Sequence, residues 1–113
     1  MNNENQKIAR IGNVLLDYFL SLSAKDVSLS IHEEGQKIYI TIQAQEITIS
    51  KLELDFLKNY LYMERQEEME EYYWHLVGND SESEELSLVG MMVDEATIRQ
   101  TAGGLIINLV RYI

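Results

Sequence analysis

The sequence predicts an α+β fold: an antiparallel-rich four-stranded sheet with about three helices on one face. Three observations carry this. Apolar residues alternate with period two at Val27, Leu29 and Ile31 and again at Ile38, Ile40 and Ile42, as in half-buried antiparallel strands. Ile8, Ile11, Leu15, Tyr18 and Leu22 recur at spacings of three and four, the signature of an amphipathic helix. The chain has 113 residues, which is room for one core and not two, so residues 1–113 are expected to form a single domain.

Each element has its own justification. Residues 4–22 read as the first helix, with Val14 and Phe19 widening its apolar stripe. Val27, Leu29 and Ile31 form one side of a hairpin, Ile38, Ile40 and Ile42 continue it, and Glu33–Gln36 make the turn. Ser50 followed by Glu53 has capping-box spacing, opening a helix that buries Leu54, Leu57 and Leu61. That helix continues or kinks through a Glu-rich stretch into Tyr72, Tyr73, Trp74 and Leu76. Gly78–Ser83 reads as a loop, 84–92 as a short helix, and Thr97–Thr101 with Leu105–Tyr112 as a second hairpin around Ala102-Gly103-Gly104. The order α-ββ-α(α)-α-ββ suits helices packed on one sheet face.

Composition narrows the function classes. Cysteine is absent, which excludes disulfide and thiolate chemistry and suits a cytoplasmic location. The polar N-terminus lacks a secretion-signal pattern, and no apolar run is long enough to span a bilayer. Net charge is −10. Residues 64–85 hold nine of the nineteen acids and one base, Arg65, so that segment carries −8. Direct nucleic-acid binding is therefore not expected, since it needs clustered Lys and Arg. An acidic segment can instead meet a basic protein partner, or simply keep the chain soluble.

Familiar catalytic motifs are missing from the sequence. There is no Gly-x-Ser-x-Gly turn, no HExxH, no phosphate loop and no calcium-loop order in 80–85. His32 falls on the polar face of the first hairpin, and His75 beside Trp74 reads as packed or surface. Asp94 and Glu95 are adjacent and would point apart on a regular element. No catalytic residue, metal site or cofactor is expected. Tyr72, Tyr73 and Trp74 read as core aromatics first and as an exposed partner anchor second.

Asn13 in the first helix, Thr41–Ile49 after the second strand, and Met92–Ile98 followed by Gly103-Gly104 and Leu109–Ile113 give the chain a wider likeness. It resembles the histidine-kinase-like (Bergerat, or GHKL) ATPase domain, and within it the bacterial anti-sigma-factor serine kinases. The resemblance spans nearly the whole chain and implies an α/β sandwich. It also implies a nucleotide site whose residues this sequence lacks. The family's general base, four positions before the Asn, is Ala9 here. Asn13 survives as a residual cofactor-binding candidate, or as an ordinary solvent-facing residue. The adenine-binding carboxylate is Ala44, and the two close-approach glycines are Glu46 and Thr48. The glycine-rich lid falls near Ser83-Glu84-Glu85, where acids would oppose a triphosphate.

The resemblance and its departures imply a non-catalytic interaction module in bacterial regulation. Its partner surface would be Glu67, Glu68, Glu70 and Glu71 with Tyr72, Tyr73 or Trp74. Charge there would set encounter rate and specificity. Val14 on the first helix would be available for a homodimer. Alternatives are a serine kinase with an unorthodox site using Asn13 and Asp17, an acidic nucleic-acid mimic that inhibits a DNA-binding protein, or a structural subunit.

Overall fold

Helix α1 (Glu4–Ser21) turns Ile8, Ile11, Val14, Leu15, Tyr18 and Phe19 inward, the stripe its spacing predicts. Its end is a Schellman motif: Ser23 N–H donates to the Leu20 carbonyl at 3.0 Å and Ala24 N–H to the Phe19 carbonyl at 3.3 Å. Ser23 occupies the left-handed position, φ 66°, where glycine is usual. The computed structural model describes residues 3–76 and 82–113, with backbone alone for Leu76 and residues 82–84.

Strands β1 (Val27–Glu34) and β2 (Lys37–Gln45) form the first hairpin. Its turn puts Gly35 at φ 65° and leaves Gln36 at negative φ, as a two-residue turn of type II′ requires. Strands β3 (Glu95–Thr101) and β4 (Gly104–Tyr112) form the second, closed by Gly103 at φ 84°. The hairpins join through β2 and β4, so the antiparallel sheet has the order β1-β2-β4-β3.

Sheet parity decides the layers. Ile38, Ile40, Ile42 and Ala44 of β2 and Leu105, Ile107 and Leu109 of β4 share one buried face, which the helices cover. The opposite face carries Tyr39, Thr41, Gln43, Ile106, Asn108 and Val110, with Thr41 Oγ1 donating to Asn108 Oδ1 at 2.9 Å.

Ser50 caps α2 (Lys51–Leu61) as predicted, accepting from Glu53 N–H at 3.1 Å. Leu57 and Leu61 are fully buried and Leu54 only partly. The helix does not run on. It stops at Leu61, and α3 (Glu67–Tyr73) starts afresh, followed by a short 3₁₀ turn, Trp74–Leu76. Helix α4 (Glu82–Met91) begins two residues before the expected position and crosses α2 closely. At Gly90 a β-carbon would overlap the Tyr60 carbonyl oxygen and lie 2.9 Å from Met63 Cγ, so only glycine fits. Gly78, Asn79, Asp80 and Ser81 of the expected loop lie outside the described residues.

Candidate functional site

Inward parity along β4 places Leu105, Ile107, Leu109 and then Arg111 on the core face. A lone guanidinium there would be costly, because a buried charge must be paired and hydrogen-bonded. Arg111 is 1% exposed, and each of its five N–H groups has an acceptor. Glu4 of α1 takes Nε at 2.6 Å and Nη2 at 3.0 Å. Glu70 of α3 takes Nη1 at 2.8 Å and Nη2 at 2.7 Å. The Met92 carbonyl takes the remaining Nη1 hydrogen at 2.6 Å.

The cluster extends outward from Glu70. Lys7 Nζ lies 2.8 Å from Glu70 Oε2 and 2.5 Å from Glu71 Oε1. Arg65 reaches Glu70 at 3.3 Å, Asp94 at 2.9 Å and the Tyr112 carbonyl at 2.7 Å. Asp94 Oδ2 also accepts from Tyr112 N–H at 2.6 Å. Burial pushes the Glu70 carboxyl up, but hydrogen bonds from Arg111 and Lys7 and the charges of Arg111 and Arg65 prevail and hold it at about 2. Burial likewise opposes the charge on Arg111 and Lys7. Glu70 with Glu4, and Glu70 with Glu71, outweigh it and raise both above their ordinary values.

This arrangement is structural chemistry. A recess of about 330 Å³ is lined by Glu4, Lys7, Arg65, Glu70 and Arg111 among others, and these cations and anions bind one another. Among the described residues no group of three or more His, Asp or Glu could hold a metal ion.

The structure separates the acidic and aromatic residues read together from the sequence. Glu70 is 2% exposed and faces the core, so it is withdrawn from any partner surface, and Glu71 is drawn toward Lys7 while remaining exposed. Glu67 and Glu68 face solvent. Tyr72 and Tyr73 are not core residues: they are 72% and 40% exposed, with Met69 at 40% beside them. The core reading assumed an apolar stripe, and α3 has none, because its buried residue is Glu70. Trp74 is half-buried, with the Arg10 guanidinium 5.5 Å from its ring centroid.

The remaining candidates are placed individually. Val14 is buried at 2% exposure, so it offers no contact to a second copy. Asn13 and Asp17 are exposed on α1. Ala44 is buried in the sheet, and Glu46 stands at φ 60°, a conformation suited to glycine. Glu85 is buried in α4, and the side chain of Glu84 is outside the described set. His32 is exposed, 3.3 Å from Glu34. Asp94 and Glu95 diverge, Asp94 to Arg65 and Glu95 to the Tyr112 hydroxyl.

Two features escaped the sequence reading. One is the ion-pair cluster, for which the arginine at an inward β4 position was the available signal. The other is Leu52 and Phe56, exposed at 66% and 48% one turn apart on α2, where they fall off the apolar stripe of that helix. No described helix is long and apolar enough to cross a membrane. Comparison with protein-family models and with curated protein sequences finds no match.

Proposed function

We propose that this chain is a non-catalytic protein-interaction module that presents the outer face of α3 to a basic partner. One observation carries the reading. Helix α3 commits a single residue, Glu70, to the interior and leaves Glu67, Glu68, Met69, Tyr72 and Tyr73 outside. Exposed tyrosines supply contact area at low entropic cost, and the flanking carboxylates steer an oppositely charged surface. The anchoring of α3 by ion pairs holds that display in place.

The scaffold part of the reading rests on the resemblance to anti-sigma-factor kinases, supported by the helix-and-hairpin order. Loss of nucleotide chemistry is supported by Ala9, Ala44, Glu46 and Thr48 at the positions where that family needs a base, a carboxylate and two glycines. A place in a bacterial regulatory switch follows from the same likeness.

The test pans a random peptide display library on the protein and characterises the binders. Enriched peptides rich in Lys and Arg are expected. They should lose roughly tenfold or more in affinity against Tyr72→Ala/Tyr73→Ala and against Glu67→Lys/Glu68→Lys. Binders without basic bias, unmoved by both variants, would contradict the reading. So would micromolar binding of ATP with magnesium in calorimetry.

A further inference from the structure

The two edges of the sheet are finished differently. The Gly35-Gln36 turn makes Glu34 and Lys37 the first hydrogen-bonded pair of β1 and β2. Alternation then aims the N–H and C=O groups of Val27, Leu29, Ile31 and Glu33 away from β2. The same parity at Thr101 and Gly104 aims those of Ala96, Ile98 and Gln100 off the β3 edge. That edge is guarded. Ile98 N–H donates to the Tyr62 hydroxyl at 3.0 Å, and the Gln100 side chain donates to the Ile49 carbonyl at 3.4 Å. Among the described residues, no hydrogen bond reaches the outward groups of β1.

Strand β1 also lacks most of the usual deterrents to pairing, its acidic residues being confined to Glu33 and Glu34 at the hairpin end. It contains no proline or lysine, and its register with β2 runs from Val27↔Ala44 to Glu34↔Lys37 without a bulge. Ile31 lies on the core side opposite Ile40 yet remains 48% exposed. Ile8, Ala9, Ile31 and Ile38 line a recess of about 390 Å³ between α1 and β1, with Glu4 and Glu33 as its acidic members. Gly12 lets α1 lie close over the strand: a β-carbon there would sit 3.2 Å from Leu29 Cδ2.

We propose that the outer edge of β1 accepts an extended segment of another protein as a fifth strand. Its apolar residues cover Ile31 and enter the recess, and its Lys or Arg residues, on the opposite face, meet Glu34. Main-chain hydrogen bonds give affinity, and the alternate side chains give specificity. Charge selects this occupant over a second copy of the chain. A second copy brings another net charge of −10, and its own β1 has no Lys or Arg to meet Glu34. The site uses no residue of α3, so it stands independently of the function proposed above.

A synthetic peptide of alternating valine and lysine, about eight residues long, tests this against a twin with glutamate for lysine. In hydrogen-exchange NMR of the full chain, the lysine peptide should slow exchange at Leu29 and Ile31 about tenfold or more, and the glutamate twin should bind about tenfold more weakly. Ile31→Pro removes an outward donor without touching the β1–β2 ladder and should abolish binding. Ile31→Lys, which keeps that donor, should weaken it about tenfold. Equal binding of the two peptides, protection at β3 instead of β1, or no protection at millimolar peptide would overturn the proposal. So would Leu29 and Ile31 amides already protected in a concentration-dependent dimer.

Discussion

Arg111 and Glu70 meet edge to edge, Nη1 to Oε1 at 2.8 Å and Nη2 to Oε2 at 2.7 Å, although 41 positions separate them in the chain. Glu4 grips the same guanidinium from α1. One side chain at the end of β4 thus ties the first helix to the third. Helix α3 buries no apolar residue of its own, so these charged contacts stand where a hydrophobic stripe would otherwise be. The arrangement fixes which side of α3 faces inward and therefore which residues it displays.

Acid should loosen this tie. Glu70 is held at about 2 against an ordinary 4.5. A carboxyl depressed by folding contributes fully above its unfolded pKa, and the contribution disappears as pH falls from about 4.5 to about 2. The gap corresponds to about 3 kcal/mol. Urea unfolding should show stability falling over that window in the wild type, and falling distinctly less in Glu70→Gln. Lys7 acts at the other end of the scale: its raised pKa makes its contribution complete below 10.5 and lost as pH climbs above it.

Removing one partner should cost more than removing two. Arg111→Met alone leaves Glu4 and Glu70 facing each other without their shared cation, at about 3–5 kcal/mol. Adding Glu70→Leu relieves that charge, while Lys7 keeps Glu71 and Arg65 keeps Asp94. A double-mutant cycle by denaturant unfolding should give a coupling energy above about 1 kcal/mol. Additive losses would mean that the pair acts as two unrelated groups.

Two residues hold backbone conformations better suited to glycine, Ser23 at φ 66° and Glu46 at φ 60°. Ser23→Gly and Glu46→Gly should each raise stability by about 0.5–1 kcal/mol, less the entropy glycine gains on unfolding. Thermal unfolding of the single variants checks this. Glu46→Gly also places a glycine where the resembled family carries one, so it asks whether that residue confers any ATP affinity; none is expected, because Ala44 offers no carboxylate.

Local patterns were legible in the sequence, and distant pairings were not. Both hairpins, the α1 stripe and the Ser50–Glu53 cap follow from spacings of two, three and four residues, where neighbours in sequence are neighbours in space. The partners of Arg111 lie 107 and 41 positions away, beyond any such rule. Parity along β4 is the one local signal that an arginine faces inward, and it went unread; nothing local says that Glu4 and Glu70 meet it. The same gap explains α3. Read as one acidic segment, 64–85 turned all its carboxylates outward and its aromatics inward, whereas Glu70 faces the core and Tyr72 faces solvent.

The division of labour within α3 is the centre of this account, and urea unfolding of Glu70→Gln beside Glu67→Gln/Glu68→Gln measures it most directly. Glu70→Gln should lose about 2–3 kcal/mol, because it strips the charge from a buried contact to Arg111, Lys7 and Arg65. The Glu67→Gln/Glu68→Gln variant should stay within about 0.5 kcal/mol of the wild type, as exposed surface changes do. Equal losses in the two variants, or a larger loss from the exposed pair, would contradict the inward tether and outward display on which the proposed function depends.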